Sequence, residues 1–199
     1  MAGVLVVCTG NVCRSPIAEG LLRSRLTSRF GADAPAVASA GTMGWVGSSA
    51  DPASVEAAAE RGIDISSHRA RALSAAEART AHLLLAMATE HVEAIEGLVP
   101  DAGTRTFTLK ELVRLLEALP PEVGGDPAAA LRSRVLQAET LRRSRFEGNP
   151  HDVDVADPLG MPLESFRAIA WELDGWCSRL ADGLYGRAPA RAGTGVEGE

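Results

Sequence analysis

Cys8 and Arg14 stand with five residues between them near the start of the chain, in Val4-Leu5-Val6-Val7-Cys8-Thr9-Gly10-Asn11-Val12-Cys13-Arg14-Ser15-Pro16. A thiolate is a strong nucleophile, and a guanidinium holds two phosphate oxygens in one plane, which lysine does poorly. Gly10 and Asn11 tolerate left-handed backbone, so the intervening residues suit a tight loop. Ser15-Pro16 reads as an N-cap with proline at the first helical position, and Ile17, Leu21, Leu22 and Leu26 then recur at helical spacing. A loop whose N–H groups converge at a helix N-terminus is an anion site, and the helix adds about half a positive charge. Such surroundings favour the thiolate of Cys8. The chemistry implied is attack on phosphorus through a cysteinyl-phosphate intermediate.

That reaction also needs an acid, because an alkoxide or phenoxide departs poorly. The candidate lies far along the chain, in Val153-Asp154-Val155-Ala156-Asp157-Pro158-Leu159-Gly160. Proline holds the residue before it in extended backbone, and like charge from a bound phosphate pushes a facing carboxyl toward protonation. Asp157 fits both conditions. Asp152 and Asp154 read as turn residues or helpers.

Alternating strands and helices must place these groups. Val4 to Val7 is an apolar, β-branched run suited to a buried strand, followed by a helix ending near Arg29-Phe30-Gly31. Residues 36–42 read as a second strand, and Asp51 caps a helix running to about Gly62. His82 to Met87 is a third strand, with a helix from Thr89 to about Leu98. Thr104 to Leu109 is a fourth, edge-like strand, with a helix over 110–119. An arginine-rich helix is expected over 131–146, read first as a solvated face and second as a lid or a dock for an acidic partner. An amphipathic helix over 163–184 follows, carrying Phe166, Ile169, Leu173, Trp176, Cys177 and Leu180 at helical intervals, with Cys177 read as core. This order implies an α/β fold with ligands bound beyond the carboxyl ends of parallel strands, where Cys8 sits.

The loop Cys8-Thr9-Gly10-Asn11-Val12-Cys13-Arg14-Ser15-Pro16, the segment Ser39-Ala40-Gly41-Thr42 and the pair Asp157-Pro158 together resemble the low-molecular-weight protein tyrosine phosphatase family. The resemblance spans about residues 4–119 and 152–185. It implies a four-stranded parallel sheet of order 2-1-3-4 in a three-layer α/β/α sandwich. Cys8 would be the nucleophile, Arg14 the phosphate clamp and Asp157 the acid, with Thr9, Gly10, Asn11, Val12, Cys13 and Ser15 around the phosphate. It further implies a support network of Ser39, Asn11 and His68, and a reversible Cys8–Cys13 bond on oxidation. Trp45, in the glycine- and serine-rich stretch 43–50, would be an aromatic wall of the pocket. Leu159 stands where an aromatic is common, which loosens one wall. Related arginine phosphatases tend to carry threonine where this chain has Val12, and valine cannot hydrogen-bond a guanidinium, so a phosphotyrosine protein substrate is favoured. Arsenate reduction needs further reactive cysteines that Cys177 alone does not supply, and a non-catalytic phosphopeptide binder would lack Cys8, Arg14 or Asp157.

The bulk properties set bounds. A chain of 199 residues carries one good core, expected here over 1–185 with an arginine-rich insertion at 120–150 and a disordered tail at 186–199. A net charge of −6 argues against nucleic acid or anionic membrane as partner. Residues 4–7 are too short an apolar run for a signal sequence or a membrane span, so a cytoplasmic location is expected. Three cysteines suggest no disulfide framework. His82, His91 and His151 show no ligand spacing, so neither a metal nor another cofactor is implied. Oligomeric state is left open.

Overall fold

The structure, a computed structural model, describes residues 3–121, 125–144 and 152–187. Four strands, β1 (Val4–Cys8), β2 (Val37–Gly41), β3 (Leu83–Ala86) and β4 (Thr106–Thr108), form a parallel sheet of order 2-1-3-4, as expected. Val4 pairs with Val37 on one side and Leu83 on the other, so the strand that ends in Cys8 is central. All five β1 residues are buried. Side chains alternate across the sheet, as a period of two requires. Val4, Val6, Leu83 and Leu85 join one core with α1 (Arg14–Phe30), α5 (Leu109–Glu117) and α7 (Leu163–Tyr185). Leu5, Val7, Leu84 and Ala86 face a smaller core with α3 (Ala75–Thr80) and α4 (Thr89–Leu98).

Local chemistry fixes most boundaries. Asp51 caps α2 (Pro52–Ala59) through Ala53 N at 2.8 Å, with proline in the first turn. Thr108 and Glu111 form a reciprocal capping box at the start of α5. The fourth strand is shorter than expected, because Pro100–Arg105 winds as a 3-10 helix before it. The helix α3 was not anticipated. Its six residues include three alanines and are too short to show a period, and only Ser74 capping Glu77 N marks it.

The arginine-rich helix corrects the expectation of a solvated face. Element α6 (Pro127–Arg143) buries Leu131, Val135 and Ala138 in the larger core. Buried Arg134 donates from Nε to the Gly183 carbonyl at 2.9 Å, and from its two Nη atoms to the Pro120 and Leu116 carbonyls at 2.9 and 3.2 Å. Arg142 lies over the Phe107 ring at 4.2 Å and donates to the Thr106 and Gly103 carbonyls. Leu131 packs near Gly3, at the entrance of β1 and away from Cys8, so α6 is no lid over the site. The end expected at 145–146 and the tail from 188 onward lie outside the described residues.

Candidate active site

The loop after β1 is turned inside out. Cys8 O accepts from Thr42 N at 2.9 Å, Thr9 O from Met43 N at 3.1 Å, Gly10 O from Trp45 N at 3.2 Å and Val12 O from Asp51 N at 2.9 Å. The Asn11 carbonyl accepts from His68 Nε2 at 2.8 Å, which places that ring's proton on Nε2. With every carbonyl from Cys8 to Val12 drawn outward, the N–H groups are left on the inner side. Among the described residues, no protein acceptor takes the N–H groups of residues 10–13. Backbone donors buried without a partner are costly, so a loop of this shape is a binding site for an anion.

Asn11 holds the loop in this form. It is the one non-glycine among the described residues with positive φ, at 59°. Its Nδ2 donates to Ser15 Oγ at 2.9 Å and Ser39 Oγ at 2.8 Å, and its Oδ1 accepts from Arg71 N at 3.0 Å. Ser39 in turn donates to Glu19. Because Ser15 Oγ already accepts from Asn11, its own proton is free to point at Cys8 Sγ, 2.9 Å away.

The loop carrying Asp157 reaches the same place from the other end of the chain. Val155 N donates to Met87 O at 2.8 Å, which adds the loop to the end of β3. Asp154 Oδ1 accepts from Thr89 N at 2.8 Å and Thr89 Oγ1 at 2.9 Å, so it caps α4. Asp152 pairs with Lys110 at 3.1 Å and Arg114 at 3.0 Å. Both aspartates thus anchor the segment and leave Asp157 as the carboxylate at the cleft. Arg14 Nη1 donates to Val155 O at 3.0 Å and Nη2 to Asp157 Oδ2 at 2.6 Å.

Cys8, Thr9, Gly10, Val12, Cys13, Arg14, Trp45, Asp157 and Leu159 line one cleft. Asn11, Ser15, Ser39 and His68 stand behind it. The Trp45 ring lies over Gly10, where a Cβ would come within 3.3 Å of it, and Gly44 at φ 46° crosses the Ala72 backbone too closely for any side chain. Burial pushes the Cys13 thiol up to about 12, so it is protonated at neutral pH beside Cys8. Sequence reasoning passed over His91, which is buried with Nε2 2.9 Å from Thr9 Oγ1. Burial, and then the Arg14 charge, lower its pKa to about 4. It also passed over Glu19 and Glu90; no local pattern marks any of the three, because their partners come from remote segments. His151 lies outside the described residues.

Residues 3–123 match the family model described as low molecular weight phosphotyrosine protein phosphatase. The chain is 41% identical to the low molecular weight protein-tyrosine-phosphatase Etp of Escherichia coli over 104 residues, 52% of this chain and 66% of Etp. The match thus spans just under two thirds of that relative's length. It is 32% identical to a protein-arginine-phosphatase of Geobacillus stearothermophilus over 181 residues, 91% of this chain and 95% of that protein. The solved low molecular weight protein tyrosine phosphatase of T. tengcongensis superposes with a TM-score of 0.67 at 33% identity, covering 92% of this chain and 99% of that one. With the family's loop, sheet order and architecture all present, the chain belongs to the low molecular weight phosphotyrosine protein phosphatase family.

Proposed function

We propose that the protein hydrolyses phosphate esters of tyrosine side chains in proteins through a cysteinyl-phosphate intermediate. The observation that carries this reading is the inverted loop, with unclaimed N–H groups around Cys8 Sγ and Arg14 closing the ring. The ester phosphate seats on those N–H groups and on Arg14 Nη2, and Cys8 Sγ attacks phosphorus as the P–O bond to the side chain breaks. As the phosphate draws Nη2 away, Asp157 takes up a proton from solvent and passes it to the leaving oxygen, held to its loop by Leu159 N donating to Oδ1 at 3.2 Å. The same carboxylate then takes a proton from the water that cleaves the thiophosphate, and inorganic phosphate and the Cys8 thiolate return. Trp45 and Leu159 offer apolar faces to an aryl ring, while Val12 has no hydroxyl for a guanidinium.

A second reading, removal of phosphate from arginine, is favoured by the near full-length match to the Geobacillus protein-arginine-phosphatase. Arsenate reduction is disfavoured, since Cys177 is wholly buried and its thiol is raised to about 12. We read residues 1–185 as one catalytic unit in the cytoplasm. A shared core for α6, α7 and β1 supports the first part, and three unpaired cysteines support the second. No helix among the described residues is long and apolar enough to cross a membrane.

The test is turnover of an aryl phosphate and of phosphotyrosine, phosphoserine and phosphoarginine peptides by the protein and its Cys8→Ser variant, with chelator present. Aryl phosphate and phosphotyrosine turnover that vanishes in the variant is expected. Preference for phosphoarginine would install the second reading, and no turnover at all would point to a binding protein.

A further inference from the structure

Eight large apolar side chains are exposed among the described residues, and five of them lie on the two loops flanking the cleft. Met43 and Val46 are each 73% exposed, Met161 55%, Trp45 46% and Leu159 41%. Leu98, Leu136 and Trp171, the other three, are scattered over α4, α6 and α7. Scattered apolar residues on a surface are ordinary, but a cluster rimming a cleft marks a contact surface.

This rim is built by the backbone. On one side Met43 N and Trp45 N bond the phosphate loop, Ser48 N returns to Trp45 O at 2.9 Å and Gly47 N donates to Ala70 O at 2.8 Å. Main-chain bonds on both sides therefore fix the outward placement of Met43 and Val46. On the other side Met161 N closes a turn on Pro158 O at 2.9 Å. Trp45 and Leu159 line the cleft as well as the rim. A phosphorylated side chain that enters between them lays its chain neighbours across Met43, Val46 and Met161. Two carboxylates stand near the mouth, Asp157, and Glu90 with Oε1 3.5 Å from Thr9 Oγ1, while Arg69 beside Ser49 is turned to the His68 carbonyl. Arg14, the one cation lining the cleft, is held inward by the Val155 carbonyl.

We propose that this rim selects protein substrates whose phosphorylated residue is flanked by apolar side chains, and rejects those with acidic flanks. The proposal rests on the phosphatase reading above and adds the chemistry of the partner segment. It is tested with two peptides that differ only at the positions beside the phosphorylated residue, leucine and valine in one and glutamate in the other. Each is made with phosphotyrosine and with phosphoarginine, and an aryl phosphate serves as the small substrate. The protein is compared with a triple variant, Met43→Ser, Val46→Ser and Met161→Ser, whose changed side chains stand outside the cleft.

The apolar-flanked peptide should have a kcat/KM on the order of tenfold above the acidic one. The triple variant should lose that preference while aryl phosphate turnover is unchanged. Equal use of both peptides, or a preference that survives the substitutions, would overturn the proposal. Self-association that the substitutions abolish, without any peptide preference, would overturn it in favour of a contact between copies. Failure to turn over aryl phosphate would instead strike at the phosphatase reading itself.

Discussion

Asn11 holds the loop after β1 in its inverted form without lining the cleft itself. Its positive φ, both amide protons, its side-chain oxygen and its carbonyl are all committed, to Ser15, Ser39, Arg71 and His68. Glycine accepts the same backbone but supplies none of the side-chain bonds. Asn11→Gly should therefore fold and lose kcat/KM by at least on the order of tenfold, measured with an aryl phosphate. Asp157→Asn should slow esters with poor leaving groups by roughly 10²–10⁴ and largely spare activated aryl esters; equal loss on both would deny it the acid's role. His91 gives a pH signature. Its folded pKa, near 4, is below the ordinary histidine value of 6.5, so between those values the unfolded chain binds the extra proton. Stability is then complete above about pH 6.5 and falls as pH drops toward 4, and His91→Gln should flatten that part of the Tm-versus-pH curve. Cys8, Arg14 and Asp157 could be read from the sequence because their types announce chemistry. His91, Glu19 and Glu90 could not, since each matters only through a partner that folding brings to it.

At the scale of elements, α6 shows how composition can mislead. Its arginines hide a stripe of Leu131, Val135 and Ala138 spaced four and three apart, and two of those arginines satisfy carbonyls rather than water. Arg134 ties the middle of α6 to the ends of α5 and α7 through Leu116, Pro120 and Gly183. Arg134→Met keeps much of the volume but orphans those carbonyls, and should lower unfolding stability by about 3 kcal/mol in urea titration without altering KM for an aryl phosphate. The strands and long helices were legible because burial on both faces or on one stripe imposes a period. The short helix α3 and the 3-10 helix before β4 were not, being held by caps and by contacts from other segments.

At the scale of the molecule, the sheet is covered unequally. One face carries α1, α5, α6 and α7 over a large core, while the other carries α3 and α4 over about ten buried side chains. Local opening favours the side with fewer buried apolar contacts. Hydrogen–deuterium exchange should accordingly be faster in α3 and α4 than in α1 and α7; the reverse order would mean that core size does not set local stability here. The loop carrying Asp157 is tied to both sides, to α4 through Asp154 and Thr89 and to α5 through Asp152 with Lys110 and Arg114.

Arg14 and Asp157, which meet at 2.6 Å, are 143 positions apart in the chain. As the polypeptide leaves the ribosome, the strand, loop and helix around Cys8 emerge long before the carboxylate that pairs with Arg14. A nascent chain halted before residue 152 would lack Asp157 and Val155, the partners of Arg14, and also α7, whose Phe166, Leu173 and Leu180 complete the larger core with β1 and α1. The cleft therefore belongs to the nearly finished chain: its two walls come from opposite ends of the polypeptide and meet only once the last helix has packed.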